Sequence, residues 1–302
     1  MRVHYRNFII TLPILSFLFI FLSCGGKSES QDDLQDERDT IKTTVLNVGG
    51  ELFSIPSPAQ TAILVQKSGI TYDKSVMSIA GKVNTFNTDF MRAINLGIYG
   101  ADLGYVSLYN QTQDAIAYLA AVKQLSDKLG LSTAFDRVTM SRLQNNLTNR
   151  DSMMVLVSLA YQASDTYLKN NQRNDISSLI LAGGWIEGMH FSVVANKSNG
   201  NQQLRYRIAE QKQALSSILK VLSQNNSYEA KELSSHLREL HKIYEGVIFK
   251  YTYEEPVTDS LKKITYINSS TEISLSDEQL VKITDKIEEI RNKLANTTKT
   301  NP

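Results

Sequence analysis

The chain has 302 residues, 42% of them hydrophobic and 21% charged, with 32 basic against 31 acidic side chains and a formal charge of +1. That balance argues against a nucleic-acid binder, which carries a basic patch or stripe, and the apolar share is ample for a sizeable core in one or two domains. With only one cysteine, Cys24, the chain forms no internal disulfide.

Residues 1 to 23 read as a secretory signal peptide. Arg2, His4 and Arg6 precede a fifteen-residue apolar run from Phe8 to Leu22, broken by Pro13, and Ser23 is the small residue before a cut. A bilayer-spanning helix needs roughly 20 apolar residues, so the run is short for an anchor. Removing it takes away Arg2 and Arg6 and no acid, so the net charge of +1 becomes −1. No later apolar run is expected to span a membrane.

The stretch Phe21-Leu-Ser-Cys24, followed by Gly25-Gly26, resembles the lipobox of bacterial lipoproteins, although Phe21 stands where leucine is usual. The resemblance implies a lipidated Cys24. With glycine rather than aspartate after the cysteine, it also implies an outer-membrane destination, on the periplasmic face or at the cell surface. One acyl chain holds a protein only marginally, whereas two or more make the anchor close to permanent. Acylation accounts for the lone cysteine and leaves no thiol for catalysis.

After the anchor, residues 24–45 read as an acidic, solvated tether without apolar period. The "GGKS" at 25–28 lacks the earlier glycine of a phosphate-binding loop and is set aside. Residues 43–55 predict a short hairpin around Gly49-Gly50. Ser57, Pro58 and Gln60 then form a helix start with a capping box.

From there to the end, residues 46–302 read as one all-α domain: a multi-helix array or bundle with at most one or two small β-hairpins. Ala115, Tyr118, Val122, Leu125 and Leu129 follow 3-4 spacing, with Gly130 as C-cap. Residues 152–161, nearly all apolar, predict a central helix. Leu215, Ile218 and Leu222 mark another helix. The next is marked by Leu233, Leu237, Leu240, Tyr244 and Val247. Leu280, Ile283, Ile287, Ile290 and Leu294 follow the capping box Ser276…Gln279. A small hairpin is expected within 263–276, pairing Ile264 and Tyr266 with Ile273 and Leu275. Residues 196–201 are expected to be a loop, which would either separate two subdomains or lie within a single array.

Two helical segments, 93–109 and 180–194, each carry glycines four apart, Gly100/Gly104 and Gly184/Gly188, with Gly97 and Gly183 just before. A mid-helix glycine costs about 1 kcal/mol against alanine. Close approach of these two helices would compensate. Each also carries one acid among apolar residues, Asp102 and Glu187, which needs a donor if buried. Tyr99, Tyr105, Trp185, His190 and Arg92 are the donors considered. Two readings follow: Asp102 and Glu187 line a pocket with aromatic walls, or each is a satisfied structural acid.

Glu187-x-x-His190 is half of a di-iron carboxylate motif, but Leu233 and Arg238 stand three places before His236 and His241, so the second half is missing. Neither H-E-x-x-H nor G-x-S-x-G occurs. His236 and His241 are expected at the surface, and no metal or cofactor is expected. The segments Ile55-Pro-Ser-Pro58 and 92–113 resemble a group of uncharacterised helical lipoproteins of the Bacteroidota, a resemblance that implies no activity. The expectation is an envelope lipoprotein held to the membrane by its lipid, binding or scaffolding protein partners and no nucleic acid. The alternative is a small-ligand-binding protein or hydrolase with an acidic-aromatic pocket between the two glycine helices.

Overall fold

The computed structural model describes residues 44–48, 51–55, 58–135 and 137–295, with side chains from Thr61 onward. The expected signal peptide, Cys24, the tether, the Gly49-Gly50 turn and the Ser57–Gln60 cap lie outside the described residues and side chains. Among the described residues the fold is all-α with small β-ladders. Its nine α-helices are α1 (Pro58–Lys67), α2 (Asp89–Leu108), α3 (Thr112–Lys128), α4 (Arg137–Asn145), α5 (Arg150–Asn170), α6 (Asn174–Asn199), α7 (Gln202–Leu222), α8 (Tyr228–Glu245) and α9 (Asp277–Ala295).

The helices begin where short polar side chains satisfy their first amides. Thr88 accepts from Met91 N, Asn149 from Ser152 N and Ser227 from Ala230 N. The capping box of α9 is present in full: Ser276 N donates to Gln279 Oε1 at 3.0 Å, and Gln279 N donates to Ser276 Oγ at 3.2 Å. Every residue of the expected apolar stripes on α3, α7, α8 and α9 is buried, and Gly130 closes α3 in the left-handed region (φ 70°).

Helix α6 is the axis of the array, with α1, α2, α5, α7 and α9 packed round it. By length and composition it could cross a membrane, contrary to the expectation that no later run would. Its apolar stretch is 89% buried by the surrounding helices, which makes it a core helix here.

The two glycine helices do face each other, through Gly97, Gly183 and Gly184, while Gly100 and Gly188 face other helices. A Cβ on Gly97 would overlap the Ile180 carbonyl oxygen and lie 2.7 Å from Gly184 N; one on Gly183 would overlap the Ile94 carbonyl oxygen. Helices α2 and α6 therefore touch backbone to backbone. Gly100 instead makes room for the Tyr161 ring of α5, whose hydroxyl donates to Gly97 O, and Gly188 faces Thr61 of α1.

Two local expectations need correction. The 196–201 loop is mostly helix: α6 runs to Asn199, Gly200 (φ 58°) ends it, and Asn201 caps α7 through Gln203 N at 2.8 Å. Nor do the strands within 263–276 pair with each other. Strands β3 (Ile248–Thr252), β4 (Val257–Asp259), β5 (Ile264–Tyr266) and β6 (Ser270–Ser274) form a nested arm between α8 and α9. There β4 pairs β5, and β3 pairs β6 from Ile248↔Ser274 to Thr252↔Ser270. The partners were upstream, in residues whose alternation is too short to stand out. Strands β1 (Thr44–Val48) and β2 (Glu51–Ile55) form the expected N-terminal hairpin.

Candidate functional site

Between α1 and α2 the chain crosses the array as a strap, residues 68–88, with only two short 3-10 turns. Backbone groups in such a segment lose their water when buried and need partners. The partners come from four helices. Tyr118 of α3 donates to Ser78 O at 2.5 Å and Tyr99 of α2 to Ile79 O at 2.8 Å. His190 of α6 contacts Val76 O through Nε2 at 3.0 Å. Arg291 of α9 donates through Nη2 to Val76 O at 3.2 Å and to Ser78 Oγ at 3.1 Å.

The two acids lie beneath this strap, and they lie together. Arg291 grips Glu187 with Nε to Oε2 at 3.0 Å and Nη2 to Oε1 at 2.9 Å. Asp102 accepts from Ser78 N at 3.3 Å through Oδ2, while its Oδ1 finds no donor. Burial, then the neighbouring Glu187 charge, push the Asp102 carboxyl well above the usual carboxylate range, with Arg291 only partly opposing. That direction favours the protonated form of Asp102 beside the Glu187–Arg291 pair. One guanidinium, one carboxylate and one protonated carboxyl sum to zero charge, which is the arrangement a dry interior tolerates. Asp102 and Glu187 are both 0% exposed. This node ties strap to helices and offers no opening to a substrate.

The other residues of the pocket reading are dispersed. Trp185 donates to Gln211 Oε1 at 3.0 Å on the far side of α6. Tyr105 stacks on Phe191, ring centres 4.7 Å apart, and accepts from Asp73 N. Arg92 pairs with Asp89 at 2.8 Å near the start of α2. His190 meets the strap at Val76 O, and burial lowers its pKa, so the ring is neutral. None of the five donors considered hydrogen-bonds either carboxylate; Arg291 does. Its sequence signal was its spacing, four after Ile287, which puts a guanidinium inside the apolar stripe of α9.

His236 and His241 are half-buried rather than on the surface. His241 Nε2 lies 3.0 Å from Ser216 Oγ, and His236 sits between Lys286 and Lys293. His236 borders a groove of about 1030 Å³ with Phe90, Met91, Leu233, Lys293 and Leu294. Glu187 is taken up by Arg291 rather than paired with His190 for a metal.

Outside the helical body the β3–β6 arm concentrates apolar surface. Ile248, Tyr251, Tyr253, Val257, Leu261 and Ile267 are all more than half exposed, and Leu261 at the β4–β5 turn reaches 98%. An exposed apolar run of this kind makes the arm the candidate contact surface among the described residues. No protein-family model, curated protein or solved structure matches the chain.

Proposed function

We propose that this protein is a lipid-anchored component of the cell envelope, held at the outer membrane through acylated Cys24, and that it acts by binding or scaffolding. The observation that carries the binding half is a contrast between two places. The acids that would have to do chemistry are sealed and neutralised around Arg291, whereas the exposed apolar side chains gather on the arm. The anchoring half rests on the lipobox resemblance and on the lone cysteine. A hydrolase or ligand-binding pocket built on Asp102 and Glu187 would need solvent to reach two carboxyls that are 0% exposed.

The test of anchoring is fractionation with lipid labelling. Wild-type chain should carry an alkyne-palmitate label and sediment with the outer membrane, and Cys24→Ala should lose both. A mature N-terminus that bears no acyl mass while the protein still sediments with that membrane would overturn the reading.

A further inference from the structure

We infer that the tip of the arm, Val257 to Ile267, is a second membrane contact that dips into the headgroup region of an anionic bilayer. The inference deepens the envelope reading above and takes from it that a bilayer is near.

Four observations carry it. First, the most exposed apolar residue, Leu261, occupies the outermost turn, where Asp259 Oδ1 accepts from Leu261 N and Lys262 N at 3.1 Å each. That bonding holds the apolar side chain outward instead of letting it fold back. Second, Lys262 and Lys263 follow it directly, complementary in charge to anionic headgroups. Lys262 is only loosely held, 3.4 Å from Asp259. Third, Tyr251, Tyr253 and Tyr266 are exposed along the arm, and tyrosine suits the boundary between water and acyl chains. Fourth, residues 25 to 43 link Cys24 to the first described residue, Thr44. However they are arranged, that length cannot hold Thr44 more than about 70 Å from the anchor. The arm therefore meets the surface at a high effective concentration, where a weak contact suffices.

A protein strand adding to the arm is the competing occupant, and the edges oppose it. Lys250 and Glu272 sit at the middle of β3 and β6, opposite each other, and Pro256 interrupts the strand between β3 and β4. Charges and proline at such positions guard an edge against strand addition. Insertion stays shallow, about 5–10 Å, because the open edges of the β4–β5 ladder need water at their unpaired groups.

The experiment uses the full chain with Cys24→Ala and Leu261→Cys, so that the only thiol is at the tip, labelled with an environment-sensitive fluorophore. It is mixed with phosphatidylglycerol-containing vesicles. The expected result is a blue shift, a several-fold rise in emission and quenching by nitroxide-bearing lipid. The same label at Val138 on α4, 65% exposed, should stay accessible to iodide. Lys262→Gln with Lys263→Gln should lower the inserted fraction, by roughly five-fold per lysine. At millimolar lipid, which stands in for the effective concentration a tether provides, a tip label quenched by iodide and not by lipid nitroxide overturns the inference, whether or not the protein sediments with the vesicles. Protection from both quenchers points to a protein partner and equally overturns it. Because this chain cannot be acylated, the outcome is independent of the fate of Cys24.

Discussion

Arg291 reaches Glu187 through two parallel hydrogen bonds, at 3.0 and 2.9 Å, across 104 residues of sequence. Breaking one partner of a buried pair is far costlier than removing both, because the survivor keeps its desolvation penalty. Arg291→Met should therefore destabilise by about 3–5 kcal/mol, also leaving Val76 O and Ser78 Oγ without their donor. Adding Glu187→Met should recover much of that loss. Urea unfolding of the two single variants and the double variant measures this, and purely additive losses would show that the pair is not coupled.

Asp102 gives a pH signature with a definite sign. Its folded-state pKa is raised, first by burial and then by Glu187, whereas an unfolded aspartate ionises near 3.9. The folded chain then holds a proton that the unfolded chain releases. Its contribution is fully present below about pH 3.9 and is lost as pH rises toward the folded-state value, by at most about 1.4 kcal/mol per pH unit. Asp102→Asn supplies a neutral donor of the same shape, so its stability should fall less than wild type's between pH 4 and 7. Parallel curves for the two proteins would mean that Asp102 is ionised in the fold.

The glycines of α2 should separate into two classes. Gly97→Ala drives a Cβ into the Ile180 carbonyl, with backbone on both sides and no flexible group to yield, and should cost about 1–3 kcal/mol or more. Gly104→Ala meets only the Met154 methyl at 3.9 Å, and should gain up to about 1 kcal/mol from helix propensity. Thermal melts of both variants decide it: equal effects would contradict backbone contact at Gly97.

The arm should be removable without harm to the body. Thr252 and Ser270 are paired partners in the β3–β6 ladder, so Asn-Gly in place of residues 253–269 closes a two-residue hairpin. Most of the excised side chains are exposed, so the midpoint of helix unfolding should shift little. A large drop in the circular-dichroism melting temperature would show the arm to be part of the core.

Helices were legible because their signals are local. A stripe such as Leu233, Leu237, Leu240 and Tyr244 announces its buried face, and Ser276 with Gln279 announces an N-terminus. That Asp102 and Glu187 belong to facing helices could be inferred from the glycines beside them. The contact residues within that interface could not: Gly97 and Gly183 are chosen by the crossing geometry of two helices, which no spacing within one helix encodes. Arg291 was missed for a related reason. A charge on an apolar stripe reads as an interruption until its counter-ion, in a distant helix, is known. The arm was half legible, since β5 and β6 showed alternation while their true partners, β4 and β3, lie before the turn.

The strap over the buried node also fixes an order of events during synthesis. Glu187 emerges 104 residues ahead of its guanidinium, an interval of about 5–20 s at ordinary elongation rates. Through that interval the nascent chain lacks the guanidinium that neutralises the buried carboxylate in the folded protein. Helices α2 and α6 can form, but they cannot seal over Glu187 in its charged form. Final closure waits for α9, so the last helix to be made is the one that locks the node.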